Sequence, residues 1–152
     1  TWKDIEFIKN NTNLPVILKG ITSVSYAKKA VELGIDAIVV SNHAGRTLDT
    51  LPASIEILPK ITNEIKGTIP ILFDGGIKRG TDVIKAIALG ASAVMIGRPI
   101  MYGLATAGAL GVAHTLKILK EELEVSMIFT GCKNIEELRK LELTFNNNYQ
   151  LH

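Results

Sequence analysis

The sequence predicts an α/β fold, a parallel sheet assembled from successive strand–loop–helix units. Three observations predict it. Four short apolar runs, Pro15–Lys19, Ala37–Ser41, Pro70–Phe73 and Ala93–Ile96, are bounded by Gly, Asn or Asp. Runs this short and apolar throughout read as strands buried on both faces of a parallel sheet. Helical patterns with recognisable ends lie between them. The strand starts recur roughly every 20 to 35 residues, the spacing of βα units joined by right-handed crossovers.

Each element follows from its residues. Trp2–Asn10 is amphipathic and precedes the first strand as a helix. Ser23–Leu33 follows a Thr22/Ser23 cap region and stops at Gly34, a glycine suited to the position after a helix. Ala53–Ile65 starts after Pro52 and ends before Gly67, and Pro59 inside it predicts a kink or a break. Asp82–Leu89 follows Thr81 and stops at Gly90. Beyond the fourth strand, Thr106–Glu124 carries Val112, Leu116, Leu119 and Leu123 at helical spacing. A shorter segment, Val125–Thr130, ends at Gly131, and Asn134–Leu143 reads as a further helix with Glu136, Glu137, Arg139 and Lys140 on its polar side. The tail Thr144–His152 is expected to fray. No domain boundary interrupts residues 1–152. Four such units form either an open α/β sheet or half of a (β/α)8 barrel, and the pattern alone does not choose.

Composition bounds the function. Hydrophobic residues make up 47% of the 152, charged residues 21%, and the formal net charge is +2. A disordered or low-complexity chain is far less apolar. A complete (β/α)8 barrel usually needs about 250 residues, more than are present. Cys132 stands alone, which excludes an internal disulfide and a thiolate metal cage. No metal site is expected, and a reducing compartment is, the cytoplasm first, with peroxisomal or membrane-associated placement left open. No run reaches the roughly 18 apolar residues of a membrane helix. Thr1–Asn13 carries no secretory pattern. Cations such as Lys117 and Lys120 are interleaved with Glu121 and Glu122, so no nucleic-acid surface is expected.

In both candidate architectures ligands bind beyond the carboxyl ends of the strands. The first strand ends in Lys19-Gly20. A lysine at a buried strand end is costly to desolvate without an anionic partner; it either snorkels to the rim or faces an electron-rich ligand. The second strand runs into Ser41-Asn42-His43-Ala44-Gly45-Arg46-Thr47-Leu48-Asp49, the densest polar constellation in the chain. A histidine is suited to general-base work near neutral pH. An arginine three residues later offers a planar fork for a carboxylate. Base and fork together fit proton abstraction from a small hydroxy or keto acid. The third strand ends in Asp74-Gly75-Gly76-Ile77-Lys78-Arg79-Gly80 before a helix start, and the fourth in Gly97-Arg98-Pro99. Free backbone N–H groups, cations and a helix N-terminus make a phosphate cradle. His114, His152, Cys132, Tyr26 and Tyr102 read as structural or solvated; Tyr102 is expected to pack beside the Gly-Arg-Pro loop.

Five blocks carry a resemblance: Leu14–Ile21, Ser41–Asp49, Phe73–Ala91, Ile96–Gly108 and Gly131–Leu138. They resemble the FMN-dependent L-2-hydroxy acid oxidases and dehydrogenases over nearly the whole chain. The resemblance implies the C-terminal half of a TIM (β/α)8 barrel, four parallel βα units plus C-terminal helices. It implies FMN as cofactor and a small lactate- or glycolate-like 2-hydroxy acid as substrate. His43 would be the base and Arg46 would bind the substrate carboxylate. Lys19 would lie near the flavin N1/O2 edge, and Ser41 would also touch FMN. Asp74, Gly75, Gly76, Ile77 and Lys78, with Gly97 and Arg98, would hold the ribityl phosphate. The family usually has Gly where Ala44 stands, Gln where Thr47 stands and Arg where Lys78 stands. A methyl at Ala44 is harmless if its φ is negative. The resemblance also implies an N-terminal half-barrel not seen in this sequence, so the chain is expected to need that half or to self-associate, within a homo-oligomer that is a tetramer in the family. The alternative is a half-barrel that binds FMN or phosphate without turnover.

Overall fold

A computed structural model describes residues 1–144. Most of the expected tail, 145–152, lies outside the described residues. Four parallel strands form one sheet: β1 (Ile17–Ile21), β2 (Ala37–Val40), β3 (Ile71–Asp74) and β4 (Ala93–Met95), in the order β1-β2-β3-β4. Strand order equals chain order, as in a (β/α)8 barrel and unlike a doubly wound sheet, where the order reverses at a switch point. The register pairs Lys19 with Val39, Val39 with Leu72, and Asp74 with Met95. Lys19, Val39, Leu72, Asp74 and Met95 therefore point to one face, since side chains alternate along a strand. Ile38, Val40, Ile71 and Phe73 point to the other and form the core with the helices.

Helix α1 (Trp2–Asn10) precedes β1, and α2 (Val24–Glu32) follows it with Ser23 as N-cap, accepting the Tyr26 N–H at 3.2 Å. The Tyr26 side chain meets Trp2 edge to face at 5.6 Å. Helix α3 (Ser54–Ile65) runs unbroken through Pro59, so the expected break is absent. Ile57, Leu58, Ile61 and Ile65 are buried along one stripe, and that packing outweighs one lost hydrogen bond. Helix α4 (Gly80–Ala88) comes next.

Three expectations are corrected. Only β2 is buried along its whole length; β1 and β4 are exposed at several positions because they are the sheet edges. The two helical segments expected over 106–130 belong to one longer element, α5 (Arg98–Phe129), which starts at the Gly-Arg-Pro loop and turns sharply at Ala107 and Gly108. There Gly108 has φ 56 and ψ −138, a conformation that only glycine adopts readily. The two arms, 98–106 and 109–129, touch backbone to backbone: a Cβ at Gly111 would lie 1.9 Å from the Gly103 carbonyl oxygen. Finally, α6 spans only Ile135–Leu138, not 134–143. Leu138 is fully buried, and the Arg139 guanidinium donates to the Ala91 and Ser92 carbonyls at 3.0 and 3.2 Å, anchoring the segment against the start of β4.

Candidate active site

The carboxyl ends of the four strands open into a cleft of about 620 Å³. Lys19, His43, Arg46, Asp74, Gly75, Gly76, Ile77, Lys78, Gly97 and Arg98 all line it. Those ten expected site residues come from four separate strand ends. Ser41 lies behind them, 1% exposed, and lines a neighbouring recess with Lys19 and His43.

Ser41 is the hub of the first wall. Its Oγ accepts from Lys19 Nζ at 2.9 Å and from the His43 backbone N–H at 3.0 Å, and donates to Asp74 Oδ2 at 2.7 Å. Lys19 and Asp74 also form a direct ion pair. The lysine at the end of β1 thus has an anionic partner, although its side chain is itself partly exposed. Burial pushes the Asp74 carboxyl up, but hydrogen bonds from Lys19 and Ser41 outweigh it and hold the carboxyl below the usual carboxylate range. Asp74 is an ionised anchor here.

The loop that carries His43 is unusual in its backbone. A short 3-10 turn spans His43–Gly45, and His43 and Ala44 have φ of 54 and 56. Both lie in the left-handed region, so the condition under which the Ala44 methyl would be harmless is not met. Each such non-glycine residue costs roughly 1–2 kcal/mol. Strain of this kind persists only where the surroundings over-determine it. Here Ser41 Oγ holds the His43 N–H, and the Asn42 amide side chain donates to the Pro52 carbonyl at 3.2 Å.

At the two glycine turns expected to cradle a phosphate, the backbone is open. Gly75 and Gly76 have φ of 109 and 81, and a Cβ at Gly76 or Gly97 would meet only open space. The cleft therefore reaches the backbone at both turns. Lys78 and Arg98 bring cations, and the first N–H groups of α5 carry no side-chain cap. The N-terminus of α4 is a different matter. Asp82 accepts the N–H groups of Lys78 and Arg79, both at 3.0 Å, and Glu122 accepts that of Gly80 at 3.0 Å. Arg79 turns away to pair with Glu122 at 3.3 Å. That terminus is already filled with carboxylates, so any anion in the cleft is left to the Gly75–Ile77 turn, Lys78 and the start of α5.

Sequence reasoning missed part of the lining. Tyr102 is 66% exposed and lines the cleft with Met95 and Met101, where packing against the loop was expected. The signal was present: Met101 and Tyr102 lie in the first turn of a helix that begins at the cleft.

Fold and cleft define a class: consecutive βα units of a (β/α)8 barrel whose strand ends bring two glycine turns, with a lysine and an arginine, into one cleft with a histidine and a second arginine. The chain belongs to the FMN-dependent dehydrogenase family, whose model matches residues 1–144. It is 49% identical over 147 residues to the peroxisomal (S)-2-hydroxyacid oxidase GLO3 of Arabidopsis thaliana, covering 97% of this chain and 40% of that protein. It is 49% identical over 138 residues to an L-lactate oxidase of Nostoc sp., covering 91% of this chain and 38% of that one. A solved mandelate oxidase variant with a monooxide FMN adduct matches with a TM-score of 0.93 and 46% identity, over 96% of this chain and 46% of that chain. The chain thus spans about 40% of the length of the curated relatives it matches.

Proposed function

We propose that this chain supplies the FMN-binding and base-bearing part of an oxidoreductase that converts a small L-2-hydroxy acid to the 2-oxo acid. One observation carries the reading. His43 and Arg46 share a single cleft with the Gly75–Lys78 turn and with Gly97 and Arg98.

The residues present fit FMN. Two glycine turns open to the cleft, Lys78 and Arg98 bring cations to it, and Lys19 lines it as well. Gly75, Gly76, Ile77, Lys78, Gly97 and Arg98 would hold the phosphate; Asp74, expected with them, is an anion paired with Lys19 and would lie with Lys19 and Ser41 at the ring and ribityl side. When bound, FMN would supply the acceptor for the two electrons and for one of the two protons that leave the substrate. Arg46 holds the substrate carboxylate by its fork and so orients C2 toward His43. As C2–OH becomes C2=O, two protons leave the substrate, and the His43 imidazole takes one of them. Lys19, fixed by Asp74 and Ser41, keeps a positive charge facing the electron-rich end of the cleft.

The decisive experiment loads the full protein with FMN and mixes it anaerobically with L-lactate or glycolate. Bleaching of the flavin absorbance is expected. His43→Ala should slow it by about 10²–10⁴-fold, the usual contribution of a positioned general base. Unchanged bleaching in His43→Ala would remove the base assignment.

A second reading applies to the 152 residues alone. Among the described residues the sheet ends in two unpaired edges, β1 and β4. Ile17 on β1 is 50% exposed and Met95 on β4 37%, which leaves strand surface to be covered. We infer that this part needs a further four βα units, or a second copy, to close, and that without them it binds FMN or phosphate but does not turn over. Assembly as a homo-oligomer belongs to the same proposal. The single Cys132 fits a reducing compartment, cytosolic or peroxisomal.

A further inference from the structure

Among the described residues, the buried polar side chains are Ser41 and Ser54. They grip consecutive backbone N–H groups of the strained loop. Ser41 Oγ takes the His43 N–H, and Ser54 Oγ takes the Asn42 N–H at 3.0 Å. Ser54 is 4% exposed and is the first residue of α3, outside every block that points to the cleft chemistry. A serine at a helix start ordinarily caps that helix. Here the N-cap is Ala53, which makes no side-chain cap, and the Ser54 hydroxyl is directed across to the end of β2. It also lies against the phosphate turn: a Cβ at Gly75 would come within 3.1 Å of Ser54 Oγ. One hydroxyl therefore bonds the base-bearing loop and fills the space that a side chain at Gly75 would need.

We propose that Ser54 is a positioning residue for His43. Its hydroxyl holds the Asn42 peptide so that the next two residues stay in the left-handed region and the imidazole faces the cleft. The seat beside Gly75 ties that loop to the cradle, so base and cofactor site keep one relative placement. A pre-organised base needs such support, because a displacement near 1 Å can cost about 100-fold in rate. The inference rests on the hydroxy acid oxidoreductase reading for its kinetic arm only.

The test compares Ser54→Ala and Ser54→Thr in the full, FMN-loaded protein. Removing the oxygen should lower the rate of flavin reduction per bound flavin by at least tenfold at saturating L-lactate, with KM changed less than threefold. Ser54→Thr, which keeps the oxygen, should restore the rate to within threefold of the parent. The second readout is amide hydrogen exchange. Peptides covering 41–46 should exchange faster in Ser54→Ala and not in Ser54→Thr, while peptides from α4 stay unchanged. A lower melting temperature with an unaltered rate per flavin, or exchange that rises evenly over the molecule, would overturn the positioning role. If the parent protein reduces no flavin with any 2-hydroxy acid, the enzymatic reading fails. The exchange at 41–46 then still decides whether Ser54 holds the loop.

Discussion

Replacing Ala44 by glycine should stabilise the protein. Ala44 has φ 56 and ψ 34, well inside the left-handed basin. An L-residue with a Cβ pays roughly 1–2 kcal/mol there, and glycine does not. Against this, glycine adds freedom to the unfolded chain, worth roughly 0.5–1 kcal/mol. The difference leaves a gain of about 0.5–1 kcal/mol. Urea unfolding of parent and variant, followed by far-UV circular dichroism, reads it as a higher midpoint at constant slope. Lys66→Gly is the control. Lys66 ends α3 at φ 50 and ψ 38, far from the cleft, and should gain a similar amount. If Lys66→Gly stabilises and Ala44→Gly does not, the left-handed turn is not the conformation that Ala44 adopts, and the loop carrying His43 is not strained.

Two further outcomes follow from geometry already described. Asp74→Asn should lower stability at pH 7 by roughly 1 kcal/mol, a charged hydrogen-bond value discounted because Lys19 is partly exposed. The folded carboxyl titrates below its ordinary value of 3.8, so its contribution is full above that pH and vanishes as pH falls through the lower folded value. Urea midpoints of parent and variant should therefore converge on acidification below 3.8. Gly111→Ala should destabilise by about 1–3 kcal/mol despite alanine's better helix propensity, because the Gly103 carbonyl stands 1.9 Å from the new Cβ and both partners are backbone. Thermal unfolding measures the loss, and a variant as stable as the parent would contradict the close approach of the two arms.

The strand positions, the caps and the polar strand ends were legible because each is local. Ser23 and Gly34 mark α2 through the chain's own chemistry, and Lys19, His43 and Asp74 announce themselves as polar groups ending apolar runs. What stayed hidden depends on residues far apart in sequence. Pro59 predicts a break locally, and only the buried stripe of α3 shows why none occurs. Arg79 looked like a cradle cation until Glu122, 43 residues later, took it away. Ser54 lies outside every matched block, and its partner lies twelve residues earlier across the turn. The half-barrel was legible from five matched blocks, whereas the left-handed φ of Ala44 has no signature in an Ala-Gly pair.

The agreement of strand order with chain order bears on how the molecule comes into being. Each strand docks beside the one made just before it, so every crossover closes a loop of modest length and modest entropic cost. A chain emerging from the ribosome can add one βα unit at a time, and no unit must wait for a distant partner. Growth of this kind has no internal stop, because the newest strand presents the same free ladder as the one it covered. In such a sheet the count of units is settled by ring closure, when the last edge meets the first.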